Sequence, residues 1–188
     1  MGHDPLLQGL PLTTPLWHET TKVRDRVLPY LVGRGADLGP GGLGEPVDKI
    51  TPGAIGVDLA PGSDVVHDLN NPLPFKAGEL DWVWSSHCLE HLHNWTLALV
   101  DWWRVLRVGG VLGLYLPHED YYDNAWNHDH KHYLNERQVS TWLRDYLGAE
   151  ILVCELDVDD VPLRERPERH VQTERYSFLV VARKSGVA

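Results

Sequence analysis

The sequence predicts an α/β domain: a mostly parallel sheet with helices on both faces. Three observations predict it. Short apolar runs alternate with helix-periodic stretches between about residues 34 and 147, the pattern of repeated β-α-β units. The first run opens into a glycine-rich loop, Gly39-Pro40-Gly41-Gly42-Leu43-Gly44. The second and third runs end in acids, Asp58 and Asp68. In an open parallel sheet, the carboxyl ends of the strands line the ligand crevice.

Each element has its own signal. Residues 18–31 read as a helix with Val23, Val27, Leu28 and Leu31 on one face, and Pro29 weakens the last turn. Strands are expected over 34–38, 54–59, 64–68 and 80–85. Residues 88–107 read as helical around a loop near Asn94, and 111–116 as the fifth strand. Asn135 caps a helix running to about Leu147, with Gln138 three residues on as in a capping box. Two strands, 150–155 and 176–183, follow without an intervening helix and suit an antiparallel pair at the sheet edge. The expected architecture is Rossmann-like and seven-stranded, with the last strand antiparallel. Residues 1–16 read as an irregular arm and 17–188 as a single domain. Trp82 and Trp84 are expected to pack against helices on the two faces, and Trp102 and Trp103 within a helix interface. Cys88 is expected in the core.

Composition narrows the function classes. The 188 residues, 43% of them hydrophobic, suffice for one full core. No apolar run approaches the roughly 20 residues of a membrane span, and residues 1–16 lack a signal-peptide pattern. Two cysteines make no disulfide framework, so a cytoplasmic location is expected. The net charge of −10 disfavours nucleic acid as partner. Arginines 164, 166, 169 and 175 are interspersed with acids and read as a solvated loop.

The glycine loop with Asp58 formally matches the dinucleotide fingerprint. That fingerprint needs a helix directly after the loop to hold a pyrophosphate. Here Pro46 and Pro52 leave room for one helical turn at most. A ligand without phosphate, such as an adenosyl sulfonium, loses little from a shortened helix. Asp58 can accept both hydroxyls of a ribose, and Asp68 the amino group of an adenine.

Four segments together resemble the class I S-adenosylmethionine-dependent methyltransferases, in their type 11 branch. They are Asp37-Leu38-Gly39-Pro40-Gly41, Asp68-Leu69 with Leu73-Pro74-Phe75, Ser85-Ser86-His87-Cys88-Leu89-Glu90-His91-Leu92, and Trp103-Arg104-Val105-Leu106-Arg107-Val108-Gly109-Gly110. They occur in the family's order across residues 33–147. The resemblance implies S-adenosylmethionine as cofactor. It implies Asp37, Gly39 and Gly41 around the methionine part, Asp58 on the ribose, Asp68 and Leu69 flanking the adenine, and Ser85 beside the sulfonium. Leu43 departs from the pattern, standing where many members carry a third glycine. With the shortened helix, this resembles a bacterial subgroup associated with surface polysaccharide or nucleotide-sugar functions.

Histidines supply the catalytic candidates. His118 follows the fifth strand, His130 lies in His128-Asp129-His130-Lys131-His132-Tyr133, and His87 follows the fourth strand. A histidine near neutral pKa suits proton removal from an oxygen or nitrogen nucleophile. Three histidines at alternate positions, 128, 130 and 132, can face one way on an extended segment, but they lack the spacing of a known zinc site; no metal ligand is assigned. Glu90 and His91 are expected to cap or pin a helix, and Trp126 to stack on a substrate. The expected reaction is methyl transfer to O or N of a small-molecule or glycan-type acceptor. The rival readings are a non-catalytic partner or regulatory subunit and an NAD-binding enzyme. The oligomeric state stays open, a homodimer included.

Overall fold

The computed structural model describes residues 19–41, 47–122, 127–159 and 175–186. The arm over 1–16, loop residues Gly42 to Gly44, Trp126 and the arginines 164–169 lie outside the described residues.

Helix α1 spans Glu19–Val27 and gives way to a 3₁₀ turn at Leu28–Tyr30, where Pro29 cannot donate to an α-helical ladder. Strands β1 (Gly35–Leu38), β2 (Ile55–Asp58), β3 (Val65–Val66) and β4 (Leu80–Ser86) follow. A second 3₁₀ turn, Leu89–His91, precedes α2 (Trp95–Val105). Asn94 caps α2 through a bond from the Leu97 amide at 3.0 Å. Then come β5 (Leu106–Pro117), α3 (Glu136–Leu147), β6 (Glu150–Val158) and β7 (Tyr176–Arg183).

The strands form one sheet in the order β3-β2-β1-β4-β5-β7-β6. Strands β1 to β5 pair in parallel, whereas β7 runs antiparallel to both β5 and β6. The expected Rossmann-like, seven-stranded, mostly parallel sheet is therefore observed. No helix lies between β1 and β2 among the described residues. The chain leaves β1 toward β2 on one side, and β4 joins on the other. That is the topological switch point at which such sheets open a crevice.

Helices cover both faces. Leu99 and Trp102 of α2 and Val139 and Leu143 of α3 pack with Leu38, Val83 and Leu112 on one face. Val23 and Val27 of α1 pack with Trp82, Trp84 and Tyr115 on the other. This corrects the expectation for the tryptophans. Residues two apart on a strand share a face, so Trp82 and Trp84 enter the same cluster. Strand β5 begins at Leu106, five residues before the expected start. Leu80 pairs with Leu106 across a register shift, and Gly109, at φ 78°, carries the irregularity. No described helix is long and apolar enough to cross a membrane.

Candidate cofactor and acceptor site

The glycine loop leaves the carboxyl end of β1 with Gly39 at φ 76° and Gly41 at φ 89°, a region that L side chains rarely enter. The Gly39 amide donates to the Val57 carbonyl at 2.9 Å. The Gly41 amide donates to Asp58 Oδ2 at 3.3 Å, and the Ala60 amide to Asp58 Oδ1 at 3.1 Å. A half-buried carboxylate thus stands directly beside side-chain-free backbone. A β-carbon on Gly39 would lie 2.6 Å from Cys88 Sγ, so the loop also packs tightly on the chain leaving β4. Burial raises the Cys88 thiol pKa far above its ordinary value, with Glu90 and Asp58 adding to the effect; Cys88 is partly buried and packs against the core.

The remaining cofactor candidates serve this region in different ways. Asp37 is buried and accepts the Ile50 amide at 2.6 Å. Burial raises its pKa to about 7, against the Ile50 hydrogen bond, which lowers it. It thereby anchors the segment that returns from the glycine loop. The same segment is held from α1: Arg24 reaches Asp48 at 2.6 Å, and the Asp48 amide bonds the Pro40 carbonyl at 3.0 Å. Ser85 is fully buried and donates to the Leu38 carbonyl at 3.0 Å, tying the ends of β1 and β4 together. Asp68 accepts the backbone amide and side-chain amide of Asn70, both at 2.9 Å. These bonds hold its carboxyl below the usual range. Leu69 is buried beside it. The His67 amide donates to the Asp58 carbonyl at 2.9 Å, so the Asp58 and Asp68 strand ends adjoin. A groove of about 430 Å³ opens next to Leu69, against Leu92 and Trp102.

A second cluster follows β4. His87 has φ 47°, a strained conformation for a residue with a side chain. Its Nε2 lies 2.9 Å from Ser177 Oγ and 3.4 Å from Glu19 Oε2. The rings of Tyr115, Tyr122 and Tyr176 surround it at 5.7, 6.4 and 5.8 Å. His130 stacks on Tyr122 at 4.9 Å and meets His91 edge to face at 4.6 Å. Burial lowers the His130 pKa to about 4, aided by His91 and His87, so it is neutral at pH 7.

His118 is elsewhere engaged. Its Nδ1 accepts the Asp120 amide at 3.0 Å, and its Nε2 lies 3.1 Å from Glu136 Oε2. With Nδ1 accepting, Nε2 carries the proton and donates to Glu136. Both nitrogens are thus engaged, and the ring bridges the end of β5 and the start of α3. Of the three alternating histidines, His130 turns inward, while the His132 ring bonds the Leu92 carbonyl at 2.9 Å and His128 is exposed. Glu90 and His91 do not cap a helix; their side chains face His130, with His91 Nε2 and His130 Nε2 each 3.8 Å from Glu90 Oε1. Their adjacency in sequence was the available signal. Glu19 and Tyr176 carried no sequence signal: the pairing of β5 with β7 brings Tyr176 to His87, and α1 brings Glu19, whose Oε1 accepts the Tyr176 hydroxyl at 2.6 Å.

Comparison with solved structures places the fold. An S-adenosylmethionine-dependent methyltransferase from Mesorhizobium loti aligns with a TM-score of 0.59 at 18% identity, over 88% of this chain and 98% of that one. One from Archaeoglobus fulgidus aligns with 0.59 at 17%, over 88% and 94%. The 1,6-didemethyltoxoflavin-N1-methyltransferase of Burkholderia thailandensis, solved with 1,6-didemethyltoxoflavin and S-adenosylhomocysteine, aligns with 0.59 at 19%, over 89% and 79%. No curated protein matches the chain. The chain shares the fold of these methyltransferases. Residues 37–114 match the family model described as a methyltransferase domain, of type 11.

The residues present fit an adenosyl donor. Asp58 has two backbone amides as partners among the described residues, which leaves lone pairs for a ribose diol. It stands beside backbone that lacks side chains, and no described helix offers a pyrophosphate site after the loop.

Proposed function

We propose that this chain transfers the methyl group of S-adenosylmethionine to an oxygen or nitrogen of a small-molecule or sugar-containing acceptor. The observation that carries the reading is Asp58 beside Gly39 and Gly41 at the switch point of the sheet. When bound, the donor supplies a methyl already activated by the sulfonium. Transfer is then an in-line displacement, in which alignment and exclusion of water matter most. Asp58 holds the ribose. Gly39 and Gly41 admit the methionine part against the backbone, with Asp37 fixing the loop's return. Asp68 and Leu69 flank the adenine. Ser85 sets the distance between the β1 and β4 ends, beside the sulfonium. His87 faces the acceptor, oriented by Ser177 and Glu19 and walled by three tyrosines. The toxoflavin enzyme's acceptor supports a small molecule, and the chain's charge of −10 supports an acceptor other than nucleic acid.

Calorimetric titration tests the donor. The protein is expected to bind S-adenosylmethionine and S-adenosylhomocysteine at micromolar concentrations and NAD not at all. Asp58→Ala is expected to weaken adenosyl binding at least about tenfold, because a charged hydrogen-bond acceptor is worth about 1.5–3 kcal/mol. Equal binding by the folded variant refutes the assignment of Asp58. Binding of NAD alone refutes the donor.

A further inference from the structure

Glu90 follows β4 in the 3₁₀ turn and is 1% exposed. Neither carboxylate oxygen has a hydrogen-bond partner among the described residues. A buried carboxylate left that way is costly. Two imidazole nitrogens converge on it: His91 Nε2 and His130 Nε2 each lie 3.8 Å from Glu90 Oε1. One ligand atom from each of the three residues lies within 4.8 Å of the others. These separations are too long for hydrogen bonds. They suit atoms sharing an ion, since ligands about 2.0–2.2 Å from a tetrahedral centre stand roughly 3.5 Å apart.

The backbone fixes this arrangement. The Lys131 and His132 amides donate to the Glu90 carbonyl at 2.9 and 3.2 Å. Lys131 Nζ reaches the His91 carbonyl at 2.9 Å, and the His132 ring the Leu92 carbonyl at 2.9 Å. The segment bearing His130 is thus tied to the turn bearing Glu90 and His91.

We propose that Glu90, His91 and His130 form a binding site for one divalent transition-metal ion of the zinc type. Two imidazoles and one carboxylate suit zinc, cobalt or nickel better than magnesium or calcium, which prefer all-oxygen shells. Three protein ligands leave a position for a water or another oxygen ligand. The site adjoins His87, whose Nδ1 is 3.9 Å from Glu90 Oε1. On the methyltransferase reading, on which this clause rests, the open position receives an oxygen of the acceptor. The ion site itself does not depend on that reading.

The test uses the full chain, stripped with a chelator and titrated with Co²⁺ and then Zn²⁺. One Co²⁺ per chain with visible d–d absorption is expected, displaced by Zn²⁺, and Zn²⁺ is expected to raise the melting temperature. Glu90→Gln and His91→Ala are each expected to weaken binding at least about tenfold, the lower end seen even for groups that merely orient ligands. His128→Ala, at an exposed position outside the cluster, should bind as wild type. Absence of stoichiometric binding by the natively folded wild type overturns the site. So does binding that survives both Glu90→Gln and His91→Ala, which would place the ion on other histidines. S-adenosylmethionine titration in parallel separates the claims: metal bound without adenosyl ligand refutes the donor alone, and the converse refutes the ion site alone.

Discussion

Asp37 shows what a single buried acid does to this fold. Its carboxylate closes the loop between β1 and β2 through the Ile50 amide, yet burial raises its pKa from 3.8 to about 7. Because the folded value is the higher one, its contribution to stability is fully present below about pH 4. That contribution is lost as pH rises toward 7, while the unfolded chain ionises and the folded chain does not. At about 1.4 kcal/mol per unit, the loss is on the order of 4 kcal/mol. Asp37→Asn keeps an oxygen acceptor for Ile50 and removes the titration. Urea unfolding at pH 4, 5, 6 and 7 should show the variant gaining on wild type at each step. A constant difference would mean that Asp37 is ionised in the fold throughout. Residue types at the site were legible in the sequence, but side-chain partners were not. Nothing near His118 announces that Asp120 and Glu136 occupy both its nitrogens, because that depends on how β5 meets α3. Likewise Glu90 and His91 are adjacent in the chain, whereas His130 joins them only through the fold.

At the scale of the element, the tryptophans and glycines of neighbouring strands are matched. Gly35 pairs with Trp82 and Gly113 with Trp84, and each indole lies over the glycine opposite. A β-carbon on Gly113 would stand 2.7 Å from Trp84 Cε3, with the Trp84 ring fully buried and unable to retreat. Gly113→Ala is therefore expected to cost about 1–3 kcal/mol of stability through overpacking. Gly62→Ala, with nothing within 4 Å of the added carbon, is expected to stay within about 0.5 kcal/mol. Chemical denaturation of the two variants decides the matter, and equal stabilities would show that the sheet yields around Trp84. Strand and helix bodies were legible because their signals are local: period two, period 3.6, and the Asn135 cap, which accepts the Gln138 amide at 2.8 Å. The start of β5 was not, since a glycine irregularity at Gly109 reads in sequence as the end of a turn.

The whole molecule divides into a well-covered centre and a thin edge. Strands β4, β5 and β7 are buried on both faces, whereas β3 is two partly exposed residues at the end of the sheet. The parallel half was legible from the alternation of runs. The insertion of β7 between β5 and β6 was not, because an antiparallel pair can dock by either strand and only the packing of all seven selects one. That insertion places Ser177 and Tyr176 beside His87, so the late strand completes a cluster begun by β4. Amide hydrogen exchange should follow this layout. The Leu112, Leu114 and Val180 amides should exchange only through global unfolding, with protection matching the unfolding free energy. The His67 amide, although bonded to the Asp58 carbonyl at 2.9 Å, should exchange at least about a hundredfold faster by local opening. If His67 is as protected as Val180, the β2–β3 edge is as rigid as the core, and a donor bound as proposed must enter without any opening of it. If it is faster, saturating S-adenosylhomocysteine should slow it, because a ligand bridging Asp58 and Asp68 has to hold that edge closed.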